Sequence, residues 1–333
     1  MADEGNAMLT EQEAAVYDRQ IRVWGVEAQK RMSKSNILVG GAITGIIAEA
    51  LKNIVLAGVG SVTLVDDTPV SAESIAATFI LTPDLIDSGV SMGAACAAAL
   101  QDFNPMVAVR SEEGNIVDKA PDFYDFFSVV LLGRAPLDLQ KKINGICRSR
   151  GHKVAFFSAD VRGGIGQIFV DLQTHNYTPF PKPDTTPEPQ TAQYPSLEEA
   201  LSFSWKPLLE QKRKERTDSL FFTMRVLERF EQAEKRRPGA VSAADLPGLL
   251  KTRDDMAKSQ DVLPEMIPDE LLERLADAGP GELPAVSAIV GGILGQEILK
   301  SVSSKGAPVE NFFLYSLTKH TGLIERVPPL KKS

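Results

Sequence analysis

The sequence predicts an α/β protein built on a doubly wound, mostly parallel, Rossmann-like sheet, with a helical insertion in its second half. Short apolar runs alternate with helical segments up to residue 157. A glycine-rich turn joins the first run to an apolar helix, and the second run ends on an acidic residue, Asp66. Repeated strand–helix–strand order is typical of parallel sheets that carry helices on both faces.

A helical arm is predicted ahead of the sheet. Thr10 and Glu13 have the spacing of a capping box, which marks the start of a helix. A second helix is expected over 26–33, after the break at Trp24 and Gly25.

The spacing of apolar residues along the chain predicts the strands and helices of the core. Runs with strand character are separated by runs with helical period. We predict strands at 36–40, 61–66, 107–110, 128–132, 153–157 and 166–171, and helices ending near 57, at 91–101 and at 137–150.

The second half of the chain changes in composition. Residues 177–195 are rich in Pro and Thr, so we expect an exposed crossing segment without a regular ladder or helix. Residues 196–278 are polar with helical period, and an apolar helix at 285–302 and a strand at 311–317 follow. The predicted division is an arm and sheet domain at 1–176, a crossing segment at 177–195, a helical insertion at 196–278 and a return to the sheet domain at 279–333. One helix of the insertion should present an apolar face made of Leu220, Phe221, Met224, Leu227 and Phe230.

Bulk properties exclude some functions. A formal charge of -8 and a pI near 5.1 argue against general affinity for nucleic acid or anionic membrane, because such partners need a cationic face. We expect no run long enough to cross a bilayer and no secretory leader. The two cysteines have no metal spacing and fit a reducing compartment.

The glycine turn is the first candidate site. Gly40, Gly41 and Gly45 lie where a strand opens into a helix, so backbone N–H groups and the helix dipole could face a phosphate. Asp66 follows about 20 residues after Gly45, the offset of an acidic residue that binds a ribose. Ala42, however, stands where the glycine fingerprint needs closest approach to phosphate. A turn that uses glycine only for backbone conformation therefore remains an equal alternative.

A longer motif identifies a family. The run Tyr17 to Gly25, with sequence YDRQIRVWG, resembles the N-terminal signature of the enzymes that activate ubiquitin-like modifiers. The resemblance continues through the pairs Lys52-Asn53 and Asn104-Pro105 and through the helix near 288–297. It implies a ThiF/MoeB-like adenylation fold. By length, the chain resembles the smaller subunit of the SUMO activator more than the longer neddylation subunit or the single-chain ubiquitin activators.

The sequence departs from the catalytic half of that family at three places. Ile47 stands where the alignment of motifs expects glycine, and a phosphate would meet its side chain. The run Ser74 to Phe79 lacks the Asn and Arg that contact ATP in catalytic subunits. Ala135 and Pro136 fall where an Asp-Asn pair, whose Asp binds magnesium, is expected, and neither can bind a hard cation through its side chain.

The resemblance therefore implies a pseudo-adenylation subunit. No cofactor site is expected to be intact in this chain, whose degenerate loop comprises Gly40, Ala42, Gly45 and Ile47 with Asp66. ATP and magnesium would bind in the partner, a larger catalytic Uba-type SUMO-activating subunit, which would also hold the thioester cysteine. Arg19 would act in trans on the partner-bound ATP phosphates, whereas Arg22 would serve interface packing. The pair would adenylate the SUMO C-terminus in the nucleus, with the cytoplasm as a further site.

Other reactive residues are assigned structural roles. Cys96 and Cys147 are expected to be core thiols, because each lies among apolar neighbours of a helix. His152, His175 and His320 are expected at the surface or as caps, and no metal site is predicted. Lys212, Arg213 and Lys214 could form an import signal, although a solvated helix face is the commoner explanation.

Two other classes of enzyme remain as alternatives. An NAD-dependent oxidoreductase would use the glycine turn and Asp66, but no convincing catalytic His or Lys accompanies them. A self-sufficient homodimeric adenylyltransferase of the ThiF or MoeB type is disfavoured by Ala135 and Pro136. The equivalent subunit for another ubiquitin-like modifier is a third possibility.

Overall fold

The computed structural model describes residues 10–181, 186–210 and 217–329. Its strands, in chain order, are β1 (Asn36–Gly41), β2 (Ser61–Val65), β3 (Ala108–Ser111), β4 (Val129–Gly133), β5 (Ala155–Arg162), β6 (Ile165–Asp171), β7 (Thr174–Tyr177), β8 (Gln190–Gln193), β9 (Phe312–Ser316) and β10 (Thr321–Glu325). Its α-helices are α1 (Glu11–Val16), α2 (Asp18–Trp24), α3 (Val26–Ser33), α4 (Gly45–Leu56), α5 (Ala72–Ala77), α6 (Met92–Gln101), α7 (Leu137–Arg148), α8 (Leu197–Leu201), α9 (Trp205–Leu209), α10 (Ser219–Ala233), α11 (Leu246–Ser259), α12 (Asp269–Ala278) and α13 (Pro284–Ser303).

One eight-stranded sheet organises the chain, in the order β10-β9-β6-β5-β4-β1-β2-β3. Strands β3, β2, β1, β4 and β5 are parallel, whereas β6, β9 and β10 add to one edge in antiparallel pairs. The chain leaves β1 toward β2 on one side and later returns to β4 on the other. The strand order thus reverses between β1 and β4, and their carboxyl ends border the crevice where open α/β sheets bind ligands. The predicted fold class is confirmed.

One face of the sheet is covered by α4, α6 and α13. Helix α13 packs along α4, and Val286, Val290, Leu294 and Ile298 are fully buried there. At 20 residues, α13 is long and apolar enough to cross a membrane, so the expectation that no run reaches this length is wrong. Its burial against α4 and the sheet is the behaviour of a core helix.

The opposite face is covered by the helices of the second half. The predicted apolar face of α10, Leu220 to Phe230, is confirmed as buried, and it packs in one cluster with Leu38, Phe156 and Phe312 of the sheet. A buried ion pair, Arg162 Nη1 to Glu231 Oε1 at 2.8 Å, also links β5 to α10. The helical segment therefore shares its hydrophobic core with the sheet.

The prediction for residues 177–195 is wrong in part. Strand β8 pairs with β7 in a small antiparallel ladder, and the proposed boundary at 176 and 177 falls inside β7. Pro189 and Pro195 flank β8 and do not interrupt it, so the proline content did not prevent a strand of four residues. Ala192 and Tyr194 are buried against the core. Strand β10 was not predicted.

Candidate functional site

The signature run Tyr17 to Gly25 folds onto the carboxyl end of α4. Tyr17 is buried, its ring lies against Gly58, and its hydroxyl accepts a hydrogen bond from Asn104 Nδ2 at 2.8 Å. Gln20 Nε2 donates to the carbonyl of Leu56 at 3.2 Å. Gly58 has φ +80°, and a Cβ there would lie 2.3 Å from Tyr17 Cζ, so glycine is required at this contact.

The end of the signature is fixed by a second set of contacts. Trp24 Nε1 donates to Gln29 Oε1 at 3.1 Å, and Gln29 Nε2 donates to the carbonyl of Ala57 at 2.9 Å. Gln29 is fully buried, so both of these bonds are protected from water. The polar residues of the signature thus hold the arm in place.

The same arm leaves other signature residues exposed. Arg19 lies on the exposed side of α2, and within the described part of the chain no hydrogen bond or ion pair engages it. Arg22, one turn later, pairs with Asp18 at 2.8 Å. Val16, Val23 and Val26 are also exposed, Val23 to 66%. The arm therefore offers a free cation beside uncovered apolar side chains.

Other atoms of the protein pack closely against the glycines of the β1–α4 turn. A Cβ on Gly40 would lie 2.2 Å from Ile116 Cδ1. Gly41 has φ +75°, and a Cβ there would lie 2.2 Å from the carbonyl oxygen of Gly133. A Cβ on Gly45 would meet the carbonyl oxygen of Ala77 at 2.4 Å and Glu282 Oε2 at 2.9 Å. Other atoms of the chain therefore occupy the Cβ positions of all three glycines.

Glu282 occupies the amino end of α4. Its Oε2 accepts hydrogen bonds from the backbone N–H of Ile46 at 3.2 Å and from Ser287 Oγ at 2.8 Å. Thr44, the residue in the capping position, makes no capping hydrogen bond with its side chain. A carboxylate from the loop before α13 therefore caps α4 at the position where this fold usually receives a phosphate.

Arg134 holds that carboxylate from the other side of the crevice. It directly follows β4, and its Nη2 lies 3.0 Å from Glu282 Oε1, with both side chains nearly buried. Its Nε donates to Asp160 Oδ1 at 2.8 Å, and Nη1 donates to the carbonyl of Pro280 at 2.6 Å. Asp160 in turn pairs with Arg162, so a chain of alternating charges runs from α4 to Glu231 on α10.

The pKa values of two acids in this chain shift in opposite directions. Burial would raise the pKa of Asp160, but the guanidiniums of Arg162 and Arg134 outweigh burial and lower it. Burial raises the pKa of Glu282, and Arg134 opposes that rise. Around Glu282 the backbone N–H, the hydroxyl and the guanidinium all donate, an arrangement that suits the ionised carboxylate.

Asp66 is also engaged internally. Its Oδ2 accepts from the N–H of Ile43 at 3.0 Å, and its Oδ1 accepts from the N–H and hydroxyl of Thr68 at 3.0 and 2.5 Å. The residue is buried, and burial raises its pKa. Both oxygens are therefore already hydrogen-bonded within the chain. A cleft of about 430 Å³ remains beside Gly41 and Asp66. At its wall, the carboxylate of Asp66 is hydrogen-bonded to the backbone N–H of Ile43 in the glycine turn.

The residues predicted to obstruct nucleotide binding act differently from one another. The side chain of Ile47 is fully buried against Gly133, whereas Glu282 lies at the amino end of α4. Ala135 and Pro136 lie between β4 and α7, and they provide no oxygen ligand from a side chain. Among the described residues, no group of His, Cys, Asp or Glu could hold a metal ion.

The cysteines behave as predicted, and one histidine does not. Both cysteines are buried, and burial raises the pKa of the Cys96 thiol to about 12. His152 and His320 are exposed as expected. His175 is only 2% exposed, and its Nδ1 lies 2.6 Å from Lys153 Nζ, so its assignment to the surface is wrong. Lys212, Arg213 and Lys214 lie outside the described residues.

Sequence reasoning missed Glu282 and Arg134. Each is a single charged residue beside a glycine or proline loop, and Glu282 lies 236 residues from Ile46. Glu282 is the single charged residue in the run Gly279 to Pro284, so the local sequence carries no signal for its role. The alternative of an NAD-dependent oxidoreductase rested on the same turn and on Asp66, and both are engaged in hydrogen bonds within the chain.

The fold and this crevice define a Rossmann-like α/β protein in which Glu282, held by Arg134, occupies the amino end of the helix that follows β1. The model of the ThiF family matches residues 17–333, and the chain belongs to the ThiF family. It is similar to SUMO-activating enzyme subunit 1B-1 of Arabidopsis thaliana, with 47% identity over 318 residues that cover 95% of this chain and 97% of the relative. SUMO-activating enzyme subunit 1 of Xenopus laevis is 34% identical over 348 residues, covering 98% of each chain. The rat protein of that name is 32% identical over 344 residues, covering 96% of each.

Proposed function

We propose that this chain is the non-catalytic subunit of a heterodimeric SUMO-activating enzyme. A catalytic partner would bind ATP and magnesium, adenylate the SUMO C-terminus and form the thioester on its own cysteine. The observation that carries this proposal is the internally filled phosphate position, found in a chain that aligns nearly end to end with SUMO-activating enzyme subunits 1. A chain whose phosphate position is occupied by its own carboxylate needs a partner that binds ATP for adenylation.

Arg19 is the residue we assign to the chemistry. The arm is anchored at the carboxyl end of α4 through Tyr17 and Gln20, whereas the glycine turn is at the amino end. Twelve helical residues at 1.5 Å each separate the two ends by about 18 Å. This separation favours action on a nucleotide held by another chain over action on this chain's own turn.

The chemistry explains why an arginine suits this position. Charge shifts onto the triphosphate as the modifier's carboxylate attacks, and a permanently charged planar guanidinium can offset it. A side chain that is already paired would have to break that pair first. Arg22 is paired with Asp18, whereas Arg19 is free among the described residues.

The arm also provides the surface that we assign to the catalytic partner. Val16, Val23 and Val26 are large apolar residues that the chain leaves uncovered, and they flank Arg19 along the arm. Exposed apolar side chains around a functional cation are typical of an interface. Contact with a partner here would cover the valines and direct Arg19 outward.

Reconstitution with a catalytic subunit tests the proposal. The chain alone should form no SUMO adenylate, and ATP–pyrophosphate exchange should require both subunits. Arg19→Ala should lower the exchange rate about 100-fold without weakening the pair, by analogy with the loss of one donor to a transition state. Arg22→Ala is the matched control: with the catalytic subunit at saturating concentration, so that a loss of interface packing does not limit the rate, it should change the exchange rate by less than about twofold.

Several outcomes would contradict parts of the proposal. Adenylation by the chain alone would remove the non-catalytic role. Equal rates for the Arg19→Ala and wild-type pairs would remove Arg19 from the mechanism. Activity with another ubiquitin-like modifier but not with SUMO would favour the equivalent subunit for that modifier. Nuclear location is part of the proposal, and imaging of the tagged chain in cells checks it.

A further inference from the structure

The Glu282 carboxylate has the surroundings of a bound phosphate. It faces the free N–H groups at the start of a twelve-residue helix, one of which donates to it at 3.2 Å. A hydroxyl, Ser287 Oγ, donates at 2.8 Å, and the Arg134 guanidinium lies 3.0 Å away. Helix N–H groups, a hydroxyl and a guanidinium are the donors that proteins use to bind phosphate.

The carboxylate is also enclosed. Its side chain is 2% exposed, and the Arg134 side chain is 10% exposed. An anion at this depth must be balanced by nearby positive charge, because moving it from water is costly. Arg134 supplies that charge, and its remaining donors are fixed by Asp160 and by the carbonyls of Val161 and Pro280.

We propose that Glu282 is an internal substitute for a nucleotide phosphate and that Arg134 is its counter-cation. The helix end, which would otherwise attract an external anion, is kept filled by the chain itself. The pair also ties α4, β4 and the start of α13 together, as a bound nucleotide would tie them. This inference rests on the proposed non-catalytic role, in which the phosphate position of this chain is not used for ATP. It assigns the occupation of that position to Glu282.

Removal of the carboxylate should turn the position into an anion site. Glu282→Ala leaves the donors of α4, Ser287 and Arg134 without their acceptor. We expect the variant to melt about 5 °C below the wild type. Inorganic phosphate at millimolar concentration should restore at least half of that loss, whereas sodium chloride at equal ionic strength should not. The wild type and the matched control Glu273→Ala, an exposed acid on α12, should show no response to phosphate.

A second variant keeps the test decisive if the first folds poorly. Glu282→Gln preserves the shape and removes the charge, so it should also melt below the wild type, but phosphate should not rescue it because the position is still filled. For an unstable Glu282→Ala, the refolding yield should rise with phosphate. A Glu282→Gln protein as stable as the wild type, or a phosphate response of Glu282→Ala no larger than that of Glu273→Ala, would overturn the inference.

These measurements use the chain alone and inorganic phosphate. Their failure would leave the partner-dependent adenylation and the effect of Arg19→Ala unaffected. Conversely, failure of reconstitution with SUMO would not change the phosphate response. The two proposals can therefore fail separately.

Discussion

The two ends of helix α4 differ in what they do with their polar groups. At the amino end, Glu282, Arg134 and Asp66 are hydrogen-bonded to one another or to the turn. At the carboxyl end, Tyr17 and Gln20 fasten the arm, while Arg19 stays exposed. The polar groups at the amino end are thus hydrogen-bonded within the chain, whereas the carboxyl end presents the charge of Arg19 to solvent. This contrast is the physical basis for assigning a non-catalytic subunit that contributes to chemistry elsewhere.

Loss of the Tyr17 anchor should have the largest effect. Tyr17→Ala removes a buried ring and its hydroxyl from the contact with Gly58 and Asn104. Such truncations cost about 3 kcal/mol, and the amides of α2 should then exchange with solvent about 100-fold faster. Hydrogen exchange followed by mass spectrometry measures this.

The control for that prediction is Tyr17→Phe, which keeps the ring and removes one hydrogen bond worth about 1 kcal/mol. The exchange of α2 should then rise by about tenfold or less. If Tyr17→Ala leaves α2 as protected as in the wild type, the arm is held by other contacts and the contrast between the two ends loses its basis.

A smaller effect is expected at the amino end. Gly45→Ala places a Cβ 2.4 Å from the carbonyl oxygen of Ala77 and 2.9 Å from Glu282 Oε2. Overpacking of this kind costs about 1–3 kcal/mol, measured as the free energy of unfolding in urea. Gly292→Ala is the matched control, because a Cβ there meets nothing within 4 Å in helix α13. It should be neutral or stabilise by about 1 kcal/mol. Equal behaviour of the two variants would mean that the turn is not tightly filled.

The arrangement of the sheet was predictable because its signals are local. Apolar runs and glycine turns fixed β1, β2 and β4 to within one residue, whereas β5 continues to Arg162, beyond its predicted end at 157. The apolar face of α10 was visible at helical spacing. Strand β8 was missed because its flanking prolines dominate the composition of that segment.

The candidate site was only partly predictable. The absence of the expected Asp-Asn pair at Ala135 and Pro136 could be identified from sequence, because the neighbouring motifs fix the spacing. Glu282 could not, because its contact with Ile46 joins residues 236 apart and no spacing encodes it. The sequence shows that Ile47 is larger than the expected glycine, which led to the prediction that it obstructs a phosphate. It does not show that the Ile47 side chain is buried in the core.

A dependence of stability on pH separates the Glu282 site from the rest of the chain. Burial and the nearby Lys153 lower the pKa of His175 to about 4, below its ordinary value of 6.5. Between these values the unfolded chain takes up a proton that the folded chain does not. The free energy of unfolding should therefore fall as the pH drops from about 6.5 to about 4.

That dependence should disappear in one variant and persist in another. His175→Asn lacks the titrating group and should show a flatter profile over this range in urea titrations at successive pH values. Glu282→Gln should keep the histidine-dependent fall. An unchanged profile for His175→Asn would show that groups other than His175 govern the acid sensitivity.

The central claim is that the nucleotide chemistry of the pair resides outside this chain. Equilibrium dialysis with labelled ATP and magnesium, on this chain alone and on its complex with a catalytic subunit, tests it most directly. We predict no bound ATP for the chain alone and one ATP for each heterodimer. Two ATP molecules for each heterodimer, or saturable binding by the chain alone, would contradict the account.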